Sequence, residues 1–303
     1  MPLDDVHPDL RRAARFAPRQ MVGSWTLPVL RALQGLRQPH GDADAEQVGL
    51  GPGAAVRWFR PAGVTQPAPA LLWIHGGGYV IGTAVQDDAL CRRFSTRLGI
   101  TVASVDYRLA PEHPYPAALE DCYAALTWLS GLPSVDPRRV AIGGGSAGGG
   151  LAAALALLAR DRGEVTPAFQ LLVYPMLDNR SSRTAKNPNH RLWNRRSNAF
   201  AWAAYLGDAD PRVAVPGRRT DLRGLPPAWI GVGSHDLFHD EDLAYAQRLR
   251  DAGVPCDVEI VPGAFHGFDL WAPKAQVSKR FFETQCDALR AALSGAAGSP
   301  VTS

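Results

Sequence analysis

Residues 141–150 read AIGGGSAGGG, and two chemistries fit that stretch. Gly143, Gly145 and Gly148 have the G-x-G-x-x-G spacing of a dinucleotide-binding loop. Gly144, Ser146 and Gly148 have the G-x-S-x-G spacing of a strained turn that lifts a nucleophilic serine between a strand and a helix. The dinucleotide reading needs an acid about 20 residues on, at the next strand end, to hold a ribose. That interval falls in an expected helix and its exit near Glu164, and Asp178 comes too late. The loop also follows three expected strands instead of opening the domain. The serine reading meets no such obstacle, because glycines two positions either side remove side chains that would collide at the turn.

A serine hydroxyl is a poor nucleophile until a base and an orienting carboxylate reach it. After the run PAWIGVG comes SHDLFHDED, and after CDVEIVP comes GAFHGF, so Asp236 and His266 emerge from successive strand ends. The order Ser146, Asp236, His266 is that of α/β-hydrolases. His235 adjoins Asp236 and is expected to point away from it. Asp240 and Glu241 are expected as acids in the first turn of a helix, where the macrodipole favours them. Upstream, WIHGGGYV supplies a side-chain-free loop whose N–H groups can approach a developing oxyanion, each donor worth about 3 kcal/mol in the transition state. Ala147, opening the next helix, offers another N–H, and His75 is expected to brace the loop.

Parallel strands with crossover helices would carry these groups to one sheet edge. Strands are predicted at AAVRWFR, ALLWIH, TVASVDY, RVAIGG, FQLLVYP, PAWIGVG and CDVEIVP. Helices are predicted at DDALCRRFSTRLG, ALEDCYAALTWLSGL, SAGGGLAAALALLARDRG, EDLAYAQRLRDAG and SKRFFETQCDALRAALSG. Residues 1–45 break this rhythm and are expected to form the N-terminal helical part of a cap over a catalytic domain spanning 46–303. A second irregular stretch runs from Asp178 to Pro227, and residues 179–215 within it are expected as a cap insertion that binds substrate. The tail after Ser294 is expected to fray.

At 303 residues and 46% hydrophobic, the chain can bury a sizeable core. Its +3 formal charge comes almost wholly from arginine, and no stacking pattern accompanies the basic run RSSRTAKNPNHRLWNRR, so no nucleic-acid partner is expected. The longest apolar run, LAAALALLA, is too short to cross a bilayer, and MPLDDVHPDLRRAARF lacks a signal-peptide core. Cys91, Cys122, Cys256 and Cys286 are scattered without metal-ligand spacing, which points to free thiols in a reducing cytoplasm.

Taken together, HGGGYV, DYRLAPEHPYPAALED, GGSAGGG, YPMLD and LRGLPPAWIGVGSHDLFHDE followed by HGF resemble the hormone-sensitive-lipase-like, or bacterial family IV, carboxylesterases. The resemblance runs from about Ala70 to Ala272. It implies an α/β-hydrolase fold: a mostly parallel sheet of about eight strands, flanked by helices and roofed by a helical cap. It also implies a Ser146, Asp236, His266 triad with Gly77, Gly78 and Ala147 as oxyanion donors, Gly76 shaping the loop. The chain departs from the family where Gly145 replaces an acidic residue before the serine and Gly150 an asparagine. The expected activity is hydrolysis of short-chain esters, with an amidase or deacetylase as alternative and a non-catalytic receptor as a further one. The mechanism calls for neither metal nor organic cofactor. The expected partner is a small-molecule ester, self-association into a homodimer being left open. Tyr79, Trp25, Trp202 and Leu206 are expected to contact substrate. A roof is expected from Met21, Val22, Trp25, Leu27, Leu30 and Leu33 together with Trp193, Phe200, Trp202 and Leu206.

Overall fold

Runs of β-branched and aromatic residues separated by helix-length segments assemble into one eight-stranded sheet in the computed structural model, which describes residues 3–19, 22–23, 25–36, 45–51, 53–181 and 190–294. Met21, part of the expected insertion and the expected frayed tail lie outside the described residues. The strands are β1 (Glu46–Gly51), β2 (Ala54–Phe59), β3 (Ala68–Ile74), β4 (Thr101–Asp106), β5 (Val135–Gly145), β6 (Phe169–Val173), β7 (Ala228–Gly233) and β8 (Cys256–Val261). Their spatial order is β1-β2-β4-β3-β5-β6-β7-β8. The pairs β1/β2 and β2/β4 are antiparallel, and every other neighbouring pair is parallel.

Helices α1 (Arg11–Phe16) and α2 (Leu27–Leu36) precede the sheet. Within it come α3 (Asp88–Leu98), α4 (Ala117–Ser130), α5 (Ala147–Arg162), α6 (Arg195–Leu206), α7 (Pro211–Ala214), α8 (His239–Asp251), α9 (Phe268–Trp271) and α10 (Gln276–Ser294). Alternation along β3 shows how the sheet divides two cores. Leu72 and Ile74 pack in one cluster with Cys122 and Leu126 of α4 and Leu151 and Leu155 of α5. Leu71 and Trp73 pack in the other with Phe94 of α3 and Phe281 and Leu289 of α10. Both faces are thus covered, and the ends of β3, β5, β6, β7 and β8 are left to present side chains along one edge.

The N-terminal segment is tied to two places. His7 N–H donates to Gly263 O at 3.0 Å and Trp271 Nε1–H to Ala13 O at 3.0 Å. Further along, Val22 N–H donates to Ser197 Oγ, and Arg31 donates to the carbonyls of Val80 and Ala110. No helix among the described residues is long and apolar enough to cross a membrane.

Candidate active site

The turn from β5 into α5 carries Ser146 at φ 57° and ψ −119°, a conformation that costs a residue with a side chain roughly 1–3 kcal/mol. Surrounding bonds hold it there. Ser146 N–H donates to Val173 O at 2.9 Å, and Ser146 O accepts from Gly150 and Met176 N–H at 3.0 and 2.9 Å. The flanking glycines are dictated by close approach. A Cβ on Gly144 would lie 2.5 Å from Ile74 O, and one on Gly148 only 2.0 Å from it. Gly145, by contrast, would place a Cβ no nearer than 3.6 Å to the Tyr174 ring, so a methyl group fits there.

Loops after β7 and β8 bring Asp236 and His266 to this turn. His266 Nδ1–H donates to Asp236 Oδ2 at 2.8 Å, and the Ser146 hydroxyl donates to His266 Nε2 at 2.9 Å. The second carboxylate oxygen, Oδ1, accepts Phe238 N–H at 3.0 Å. All three side chains are buried. The imidazole is gripped by rings: Tyr174 at 4.9 Å and Phe238 at 5.1 Å meet it edge to face, and Trp193 lies 6.3 Å away. Such packing fixes the ring plane that both hydrogen bonds require.

The glycine loop lies beside the nucleophile, since a Cβ on Gly76 would stand 2.9 Å from Gly145 O and 3.4 Å from Ser146 Cβ. Gly77 and Gly78 have φ of 129° and 60°, a region that strains any other residue. A Cβ on Gly78 would also strike Trp193 at 2.3 Å. The N–H groups of Gly77, Gly78 and Ala147 find no acceptor among the described residues, leaving three donors near Ser146. His75 is fully buried behind them. Its ring stacks on Tyr107 at 4.2 Å, its Nδ1–H donates to Gly76 O at 2.8 Å, and Tyr107 OH donates to its carbonyl at 2.9 Å. Burial pushes this imidazole below the usual histidine value, which keeps it neutral.

A cavity of about 310 Å³ opens over Ser146 and His266, walled by Gln34, Ile81, Tyr174, Leu192, Trp193 and Trp271, among others. The four residues expected to contact substrate stand elsewhere. Tyr79 turns inward, its hydroxyl donating to Met176 O and its ring stacking on Tyr205 at 4.0 Å. Trp202 and Leu206 sit on the buried stripe of α6, Trp202 packing against Tyr79 at 5.3 Å. Trp25 is 92% exposed. Apolar side chains in a roof bury themselves against one another as readily as against a substrate, and sequence type does not separate the two outcomes. From the expected roof, Trp193 reaches the cavity. Tyr174 and Trp73, absent from that reading, also reach it, from the YPMLD motif and from β3.

Among rival acids, Asp240 is exposed and accepts from His239 Nδ1–H at 2.8 Å. Glu241 stands in the first turn of α8 as expected, but not as an exposed anion. It is buried under the chain after β6, where its Oε1 accepts Leu177 N–H at 2.6 Å and Asp178 N–H at 3.0 Å. Desolvation pushes it up to about 8, outweighing hydrogen bonds from Ser181, Leu177 and Asp178. His235 points away from the triad, its Nε2–H donating to Asp5 O at 2.7 Å.

A serine at a strand-to-helix elbow, a histidine and an aspartate from later strand ends, and free backbone N–H groups beside them form the arrangement typical of hydrolases of the nucleophilic-serine class. Residues 71–270 match the family described as the alpha/beta hydrolase fold, and the chain belongs to it, among the hormone-sensitive-lipase-like carboxylesterases. It is 34% identical over 302 residues to Esterase LipI of Mycobacterium tuberculosis, covering 97% of this chain and 91% of that one. The solved Bacterial Heroin Esterase is 38% identical, with a TM-score of 0.87 over 96% of this chain and 99% of that one. Ethyl acetate hydrolase of Pseudomonas putida is 33% identical over 237 residues, 70% of each chain. The protein is a carboxylic ester hydrolase.

Proposed function

We propose that the chain hydrolyses short-chain esters through an acyl-enzyme on Ser146. His266 Nε2 takes the hydroxyl proton as Oγ attacks the ester carbonyl, while Asp236 holds the ring and offsets the charge it gains. The carbonyl oxygen, now negative, is received by the N–H groups of Gly77, Gly78 and Ala147. Collapse of this adduct breaks the ester bond, and His266 hands its proton to the departing alkoxide. Water, deprotonated by the same imidazole, then releases the acid and restores Ser146. Each step uses protein groups and water.

The observation that carries this reading is the continuous hydrogen-bonded chain from Asp236 Oδ2 through His266 to Ser146 Oγ. Two others support the chain-length preference: the cavity of about 310 Å³ and the similarity to an ethyl acetate hydrolase. In such a space each added methylene contributes about 0.8 kcal/mol only while it fits. The segment around Trp193 and the end of α2 near Gln34 form the roof that sets this limit. Four buried free thiols support residence in the cytoplasm.

A panel of p-nitrophenyl esters from acetyl to palmitoyl, run beside matched anilides, tests the proposal. The best kcat/KM is expected between acetyl and hexanoyl, with anilides far slower. An optimum at long acyl chains, or anilides preferred, would count against it.

A further inference from the structure

The cavity over Ser146 is lined by two carboxyl groups that ester hydrolysis does not use. Asp87, directly before α3, and Asp269, in the first turn of α9, both line it, with Trp73, Tyr174, Trp193 and Trp271. Neither belongs to the chain from Asp236 to Ser146. Asp87 is only 6% exposed and is part of the cavity wall. Its Oδ2 accepts the Trp73 indole N–H at 2.8 Å, while no hydrogen bond reaches its Oδ1 among the described residues. Asp269 Oδ1 accepts the Tyr174 hydroxyl at 2.9 Å.

Opposite charge is missing. No lysine or arginine lines the cavity among the described residues, and Arg57 pairs with Asp88, the residue after Asp87, at 2.6 Å. Desolvation and then the neighbouring Asp269 push Asp87 up to about 6, and burial raises Asp269 as well. Asp87 therefore carries its charge only at a cost in a largely dry wall, a cost that a cation beside it would offset. Rings around it suit the methyl groups of a substituted ammonium, which aromatic faces attract.

We propose that this cavity selects esters bearing an ammonium group, the cation seated between Asp87 and Asp269 beside Trp73 and Tyr174. The proposal rests on Ser146 being the esterase nucleophile. A cationic ester compensates the buried Asp87 and the half-buried Asp269 beside it, whereas a neutral one of equal shape does not, so discrimination follows from where these carboxyl groups stand.

Acetylcholine and its uncharged isostere 3,3-dimethylbutyl acetate test this in wild type, Asp87→Asn and Asp269→Asn. Both substitutions retain an oxygen to accept the Trp73 or Tyr174 hydrogen bond. In wild type, kcat/KM is expected to favour the charged ester about tenfold or more. In Asp87→Asn the ratio should fall to about one, with a smaller fall in Asp269→Asn. Because the ratio is taken within each variant, losses of folding or general activity cancel. A wild-type ratio of one or below overturns the proposal. Phenyltrimethylammonium binding, followed by tryptophan fluorescence, is read independently of turnover. It should weaken about tenfold in Asp87→Asn, and no saturable binding to wild type overturns the cation site even where p-nitrophenyl acetate is hydrolysed. Intact binding with p-nitrophenyl acetate turnover undiminished in Ser146→Ala upholds the cation site and overturns the nucleophile instead.

Discussion

The carboxyl edge of the sheet and the roof above it face the same cavity but are specified by different means. At the edge, backbone geometry leaves almost no choice of residue. Ser146 stands in a strained turn held by three backbone hydrogen bonds, and the glycines around it lie against Ile74 O. In the roof, tryptophans have divergent fates: Trp193 walls the cavity, Trp202 is buried behind it, and Trp25 is in solvent. Chemistry at a strand end is therefore written in residue type and spacing, while a roof is written in hydrophobicity, which many arrangements satisfy.

The comparison breaks most sharply at the acid. Asp236→Asn should lower kcat by about 10³–10⁴-fold, since the imidazole loses its orientation and the partner of its positive charge. Asp240→Asn, at an exposed position, should stay near wild type. Steady-state kinetics of the pair checks this, and the reverse ranking would assign the wrong carboxylate.

A glycine pair tests the edge next. Gly78→Ala should cost about 10²-fold in kcat, because its Cβ meets Trp193 at 2.3 Å at a φ of 60° and moves an oxyanion donor. Gly145→Ala, with only ordinary contact to Tyr174, should stay near wild type in the same assay.

Within the roof, Trp193→Ala should shift the best p-nitrophenyl ester to a longer acyl chain by enlarging the cavity. Trp202→Ala should cost about 3–5 kcal/mol in denaturant unfolding with little change in that optimum. Trp25→Ala should alter neither.

Away from both edge and roof, Glu241 sets a pH slope in stability. Its pKa lies near 8 when folded, against an ordinary 4.5, so the folded state holds a proton that the unfolded chain has lost. Its contribution to stability is complete below about pH 4.5 and lost as pH rises to about 8, by up to about 1.4 kcal/mol per unit. Glu241→Gln, whose amide oxygen can still accept from Leu177 and Asp178, should flatten that part of the Tm-against-pH curve.

The same contrast governs what could be read before the fold was known. Seven strands stood out as β-branched runs ending at turn residues, and their helices followed within a few positions. Strand β1 did not, because EQVGLG carries two glycines and half-exposed positions, and only its antiparallel register with β2 defines it. The start of β5 was read late, since Asp136 and Pro137 look like a turn yet continue the strand. Ser146, Asp236, His266 and the glycine loop were legible because each sits where a strand ends. Tyr174 could have been found by the same logic, following β6 next to β5. Asp87, Asp269 and Glu241 could not, because their burial depends on chain segments far away in sequence.

Everything proposed for the site turns on Ser146 as the nucleophile. Labelling with a fluorophosphonate, followed by intact mass and peptide mapping, tests it most directly. A single stoichiometric adduct is expected on Ser146, formed in step with loss of esterase activity and absent in Ser146→Ala. An adduct on another residue, or undiminished ester turnover by purified Ser146→Ala, would contradict it.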